Sequence, residues 1–332
     1  MEVNKIIQGD TLEILKTLPS EFVDCVITSP PYWALRDYGI EGQLGLETTF
    51  QEYITKLCDI FDEVKRVLKK TGTCWINLGD TYAGSGNGSN DYRTEKSKSL
   101  NGIGKYADKK YQGLGSSKLT AKNRHHEEHR FERRGKTNEI AAKSLCQIPS
   151  RFAIEMSNRG WIIRNEIIWH KPNCMPQSVK DRFTVDFEKI YFFVKNRKYW
   201  FEQQYEPHIW ADKDKRSQRH WSENKAKSGK MIEQRYSMGQ VSYGVKGRNK
   251  RTVWRIPTVP YKDAHFATFP QDLIVPMIKA GCPEGGVVLD PFIGSGTTAV
   301  VAQKLGRKYL GIELNPEYIK MAEKRLLQER LL

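Results

Sequence analysis

Apolar and polar positions along the chain change period several times, and those changes mark out the elements. Lys5–Gln8 and Val23–Ile27 are short apolar runs of buried-strand length, and the stretch between them, from about Thr11 to Leu18, has a helical pattern. From Phe50 to Lys69 apolar residues recur at Tyr53, Ile54, Leu57, Ile60, Phe61, Val64 and Leu68. This predicts a helix that closes in the cations of KKTGT, with Gly72 just beyond. CWINLGD reads as a strand, and SLCQIPSRFAIEMSNRG as a helix ended by Gly160. Strands in WIIRNEIIWHK and EKIYFFVKN follow. Later, a helix over Gln271–Ala280 leads to the strand GVVLD, a glycine-rich turn, the helix TTAVVAQKLG and the strand KYLGIEL. Alternating strands and helices predict an α/β fold with a mostly parallel, doubly wound sheet covered on both faces.

Two stretches break the pattern. From Gly84 to about Lys136 the composition falls to Gly, Ser, Asn, Lys and Arg, which reads as a long insertion. From about Phe201 to Thr252 the chain is again polar and basic, but carries Trp210, Trp221, Tyr236 and Tyr243. These stretches also hold the charge. Asp91–Lys136 has 13 Lys/Arg against 6 Asp/Glu, a surplus of +7, and Ala211–Arg255 has 13 against 4, a surplus of +9. The whole chain carries +15, so the rest is close to neutral. A neutral body with two basic segments is an electrostatic footprint for a polyanion, although the first segment also reads as a solvated loop.

Composition excludes other classes. The six cysteines are scattered without a C-x-x-C pair, which fits a reducing cytosol and neither a disulfide framework nor a zinc ribbon. No apolar run approaches a membrane span, and MEVNKIIQGD has no apolar leader core, so a cytoplasmic location is expected. RHHEEHR contains the H-x-x-E-H spacing of one metalloprotease class. It lies in a Gly/Lys-rich stretch with no apolar helix face and reads as a chance polar run, so no metal site is expected.

VVLDPFIGSGTTAVVAQKLGRKYLGIELNPEY carries the most chemistry. Gly294 and Gly296 permit a tight turn, and Thr297 and Thr298 open a helix whose N-terminus attracts an anionic group. Glu313 closes the next strand, 23 positions after Asp290, where a Rossmann-type fold places an acid for ribose hydroxyls. The third glycine of a dinucleotide-binding turn is missing, since Gly294-Ser295-Gly296 is followed by Thr297, Thr298 and Ala299.

DPFIGSGTT together with TSPPYW resembles the S-adenosylmethionine-dependent DNA amino-methyltransferases. The order of the two motifs is that of the circularly permuted, beta-type arrangement, with the catalytic motif first and an inserted target-recognition region. The likeness spans roughly residues 1–83, 140–200 and 252–330. It implies that Asp290, Phe292, Gly294, Gly296, Thr297 and Thr298 form the cofactor loop, with Glu313 on the ribose. Asp10 would lie beside the adenine, although it could equally cap the helix that follows. HFATFPQDLI, with His265 and Thr268, would line the methionine end. Phe292 could equally be plain core.

The diproline corner of ITSPPYWALRDYG cannot sit inside a helix or a central strand. The exocyclic amine of cytosine or adenine is a poor nucleophile, because its lone pair is delocalised into the ring. Acceptors placed on its protons favour a pyramidal nitrogen that can attack a sulfonium methyl. Pro30, with a rigid carbonyl and no N–H, and Ser29, with a hydroxyl, supply neutral acceptors. Tyr32 can stack on a base taken out of the duplex. The resemblance places Ser29, Pro30, Pro31 and Tyr32 in the flipped-base pocket. Ser-Pro-Pro-Tyr looks like the cytosine-N4 enzymes and Asp-Pro-Pro-Tyr like the adenine-N6 ones, so Ser29 favours cytosine. C5 methylation is disfavoured, because no proline here is followed by cysteine.

Double-stranded DNA is the expected substrate, with residues 201–252 as the recognition region and Arg248, Lys250 and Arg251 among its contacts. Lys171 in NEIIWHKPNCMP is expected near DNA, and Trp33 either faces the base or packs beneath its loop. A partner restriction endonuclease and a monomeric or homodimeric state are compatible with this reading. The competing class is a DNA-binding module that keeps the fold without activity, against which the intact motifs argue.

Overall fold

The computed structural model describes residues 2–35, 40–83, 140–207, 248–259 and 269–330. Strands β1 (Lys5–Gln8), β2 (Val23–Thr28), β3 (Leu68–Leu78), β4 (Ile162–His170), β5 (Phe187–Val194), β8 (Val253–Arg255), β9 (Val287–Asp290) and β10 (Lys308–Glu313) form one eight-stranded sheet. Its order is β1-β10-β9-β2-β3-β5-β4-β8. All pairs are parallel except those of β5, which runs antiparallel to both β3 and β4. The mixed, mostly parallel Rossmann-like sheet matches the expectation from the sequence. Two short strands, β6 (Tyr205–Glu206) and β7 (Arg248–Asn249), pair apart from it.

The permutation is visible at the centre of the sheet, where β2, near the chain's start, lies beside β9, near its end. Ligands bind an open α/β sheet where the strand order reverses, outside the carboxyl ends of the strands. The β9–β2 seam is such a place.

Helices α1 (Thr11–Thr17), α2 (Phe50–Val67), α3 (Ile148–Asn158), α4 (Gln271–Gly281), α5 (Thr297–Lys304) and α6 (Pro316–Arg330) accompany the strands. One cluster buries α2 residues Tyr53, Leu57, Phe61 and Val64 with Val26 and Ile76 of the sheet. The other buries α4 and α5 residues such as Leu273, Ile278 and Val300 with Cys25 and Ile27 of the sheet. The apolar periodicity of α2 is this packing read along the chain.

Two expectations about elements need correction. Helix α2 stops at Val67, and β3 starts at Leu68, so Lys69 and Lys70 are strand residues and Gly72 is no helix cap. The physical reason lies in Gly72: a β-carbon there would meet Leu68 Cδ1 at 2.5 Å, so the strand entry folds Leu68 over the glycine. Helix α6 is an element the sequence analysis did not predict, because its sequence is largely polar.

Candidate active site

The loops at the carboxyl edge of the sheet surround a cavity of about 1070 Å³. Its walls come from both ends of the chain. One wall is the β9–α5 turn and the end of β10; the other is the loop after β2, the end of β3 and the start of β5. Because β5 is antiparallel, its first residues reach the same edge as the last residues of β3.

The first wall is built from backbone and short side chains. Phe292, Gly294, Thr297 and Glu313 line the cavity, and so does Asp10 from the β1–α1 turn. A β-carbon on Gly294 would meet nothing within 4 Å, so the turn leaves open space there. No side chain caps the N-terminus of α5, which leaves its first N–H groups for a ligand. Glu313 accepts from the N–H of Gly294 at 2.9 Å and from that of Asn315 at 2.8 Å. Both donors are backbone, and a carboxylate has further lone pairs for hydroxyls in the cavity. Burial pushes the Glu313 carboxyl up, against those two donors. Asp10 lines the cavity, and its Oδ1 caps α1 by accepting from Glu13 N at 3.1 Å.

Asp290, Gly296 and Thr298 shape this wall from behind the residues that line the cavity. Asp290 is 1 % exposed, and its carboxylate is taken up by Thr28 Oγ1 at 2.6 Å, Thr298 Oγ1 at 2.6 Å and Phe292 N at 3.0 Å. Burial pushes it up to about 6, despite the donors. Gly296 has φ 84, and a β-carbon on it would lie 2.7 Å from Ala322 Cβ, so its role is to let α6 approach the turn. Arg325 of α6 then donates to Ser295 O at 2.7 Å and Thr297 Oγ1 at 3.1 Å, holding the turn from outside.

The second wall is built from side chains. Ser29, Pro30, Pro31 and Tyr32 all line the cavity. The Pro31 carbonyl accepts from Tyr53 Oη at 2.8 Å, which pins the corner to α2. Tyr32 lies against Gly79, where a β-carbon would come within 2.5 Å of the ring. Its hydroxyl donates to Glu188 Oε2 at 2.8 Å and accepts from Asn77 Nδ2 at 2.6 Å. Asn77 Nδ2 also donates to Glu188 Oε2 at 2.6 Å, and Lys171 forms an ion pair with Glu188 Oε1. Burial first, then the Glu188 charge, pushes the Tyr32 phenol well up. Asn77 and Glu188 went unassigned in the sequence. The available signal was a lone amide within the apolar run of CWINLGD and a carboxylate opening EKIYFFVKN.

Of the two places open to Trp33, the structure shows the one beneath the loop. Trp33 is 6 % exposed, donates from Nε1 to Glu47 O at 3.0 Å and sets its ring edge-on to Phe50, so it packs beneath the loop. Lys171 lines the cavity with its ammonium 4.3 Å from the Trp169 ring centroid. Arg248 and Arg251 share one carboxylate, Glu206, at 2.8 and 2.6 Å, and Lys250 lies 5.1 Å from the Trp254 ring centroid. His265 and Thr268, the RHHEEHR run and residues 84–139 lie outside the described residues. Among the described residues no His/Cys/Asp/Glu cluster could hold a metal ion, and no helix is long and apolar enough to cross a membrane.

Residues 23–324 match the family model for DNA methylases of the N6/N4 type. The chain belongs to the N6/N4 DNA methylase family. Type II methyltransferase M.SmaI of Serratia marcescens is 40 % identical over 329 residues, covering 98 % of this chain and 91 % of that protein. M.Cfr9I of Citrobacter freundii is 38 % identical over 324 residues, covering 98 % and 88 %. The fold is shared with PvuII DNA methyltransferase, described as cytosine-N4-specific, at TM-score 0.59 and 18 % identity over 98 % of this chain and 90 % of that one. It is also shared with a protein of Thermus thermophilus solved with S-adenosyl-L-methionine, at TM-score 0.54 and 21 % identity over 98 % and 94 %. The two motifs of this N6/N4 DNA methylase stand on opposite walls of one cavity.

Proposed function

We propose that this DNA methylase transfers a methyl group to the exocyclic N4 of cytosine in double-stranded DNA, with S-adenosylmethionine as donor. The observation that carries the choice of base is Ser29: a neutral hydroxyl, beside the buried Pro30, heads the motif on the cavity wall. The cofactor fits the first wall. Thr297 and the uncapped α5 N-terminus suit its carboxylate, Glu313 its ribose, and Asp10 and Phe292 the adenine end. When bound, S-adenosylmethionine supplies an electrophilic methyl on a sulfonium.

The chain's own residues do the rest. Ser29 Oγ and the Pro30 carbonyl accept from the amine and orient its lone pair, Tyr32 stacks on the extruded base, and the closed corner excludes water. The cytosine-N4 designation of the PvuII enzyme supports this reading. The Type II designation of M.SmaI and M.Cfr9I supports site-specific modification alongside a restriction endonuclease, with residues 201–252 choosing the site.

Nucleoside chromatography of treated DNA tests the base. N4-methylcytosine is expected, and N6-methyladenine without it overturns the choice. Ser29→Ala is expected to slow transfer on the order of 100-fold at unchanged cofactor affinity.

A further inference from the structure

The second wall contains more polar chemistry than base stacking needs, and its two hydroxyls donate in sequence toward one carboxylate. The Ser29 hydroxyl donates to the Tyr32 hydroxyl at 3.4 Å, and the Tyr32 hydroxyl donates to Glu188 Oε2 at 2.8 Å. Asn77 Nδ2 donates to Tyr32 Oη, to Glu188 Oε2 and, at 3.5 Å, to Ser29 Oγ. Glu188 is the common end of the row, with side-chain exposure of 17 %, and Lys171, at 18 %, neutralises its other oxygen. A second observation marks this end of the cavity as built for a polar ligand. Asn77 is 4 % exposed and lines the cavity, yet its Oδ1 has no hydrogen-bond partner among the described residues.

A methylated amine carries one proton too many and needs a group to take it. We propose that Glu188 is the terminal proton acceptor of the transfer step, reached from the target amine through the hydroxyls of Ser29 and Tyr32. This rests on Ser29 being the acceptor that faces the amine.

The balance is simple. The nitrogen lone pair forms the N–C bond while the C–S bond breaks with its electrons staying on sulfur. The surplus proton passes to Ser29 Oγ, the proton of Ser29 to Tyr32 Oη, and the proton of Tyr32 to Glu188 Oε2. A neutral methylated amine and a protonated Glu188 remain, and Glu188 returns its proton to solvent through the cavity mouth. Because the Tyr32 phenol is held well above its ordinary value, it keeps its own proton and hands it on only as it receives another. The charged or titratable groups facing Glu188 are Tyr32 from the loop after β2 and Lys171 from the segment after β4. Asn77 from β3 is neutral, and beside these strand ends His170 and Asp186 pair with each other at 3.4 Å.

Single-turnover methyl transfer to a short cytosine-containing duplex, measured across roughly pH 5–9, tests the relay. Glu188→Gln is expected to slow transfer about 100-fold and to abolish the acid limb of the pH–rate profile. Glu188→Asp is expected to recover part of the rate with that limb restored. Lys171→Met is expected to move the acid limb to higher pH. Glu188→Gln leaves Lys171 unpaired and is expected to lower the thermal midpoint, while affinity of the cofactor-free protein for the duplex stays near the wild-type level. Should that variant melt early, Tyr32→Phe, which keeps the ring and removes the hydroxyl, carries the same rate and pH expectation.

A Glu188→Gln enzyme as fast as wild type, or a slow one that keeps the acid limb, overturns the relay. If Ser29→Ala is slow while Glu188→Gln is fast, only the relay fails. If Ser29→Ala transfers at the wild-type rate, the assignment of Ser29 to the amine fails first.

Discussion

The two walls of the cavity solve the same problem, holding polar groups out of water, by opposite means. Around the β9–α5 turn, Glu313 is held by backbone donors, Asn315 N and Gly294 N, and Asp290 by one backbone donor, Phe292 N, with the short hydroxyls of Thr298 and Thr28. On the facing wall the partners are side chains drawn from remote segments, with Tyr32 and Glu188 separated by 156 positions and Asn77 and Glu188 by 111. Backbone donors are fixed once the fold forms, so the first wall is rigid before any ligand arrives. Side-chain networks keep rotamer freedom, which suits a wall where a base must enter and leave. The difference fits a resident cofactor on one side and a transient nucleotide on the other.

The sharpest way to break this comparison is at Trp33, the side chain that supports the adaptable wall from behind. Trp33→Ala removes a buried ring and is expected to cost about 4 kcal/mol, read from the denaturant midpoint. Trp33→Phe keeps most of the packing, and its duplex affinity is expected to match wild type. A selective loss of DNA binding in Trp33→Phe would return that ring to the interface.

The matching strain on the rigid wall is at Gly296. Gly296→Ala meets both a left-handed backbone and the contact with Ala322, for an expected loss of about 3 kcal/mol. Gly294→Ala meets only open space and φ +51, and is expected to cost about 1 kcal/mol in stability while weakening cofactor binding more. If both variants destabilise the protein equally, the division between a shaping and a lining glycine fails.

That division also explains what could be read from the chain. The cofactor turn is a strand, two glycines, two threonines and a returning strand within one continuous run, so its contacts are local and its chemistry is written in spacing. The sheet was legible for the same reason, because apolar periodicity reports burial. The partners of the Tyr32 hydroxyl were not. Asn77 and Glu188 stand next to Tyr32 only because β3 and β5 pair antiparallel, and no spacing encodes that pairing. Trp33 was ambiguous because a ring after a diproline corner turns either way, and Phe50 and Glu47 decide it. Helix α2 was overextended because Leu68 continues the apolar period while its backbone is already extended.

The buried carboxyl of Asp290 offers a test of the rigid wall through pH. Its folded value is about 6 against 3.8 for the ordinary carboxyl. The unfolded chain therefore releases this proton first as pH rises. The associated stabilisation is fully present below the unfolded value and is lost as pH climbs through the folded one. Relative to Asp290→Asn, the wild type is expected to gain on the order of 2 kcal/mol between pH 7 and roughly pH 4.5, read from urea midpoints. A gap that stays constant would mean that the donors around Asp290 keep it ionised.

The smallest expected effect is at the seam where the walls meet. Thr28 ends β2, directly before Ser29, and donates to Asp290 Oδ1 at 2.6 Å across the β2–β9 junction. Thr28→Val keeps the branched shape and removes the donor, at an expected cost of about 1 kcal/mol. Because that hydrogen bond holds the Asp290 carboxyl down, its loss is expected to raise the pH at which the wall is destabilised. In the Asp290→Asn background the same substitution is expected to cost less, since the charged acceptor is gone. Equal costs in both backgrounds would show that the hydroxyl serves β2 alone. The rigid wall and the adaptable one would then meet at the seam without being coupled through it.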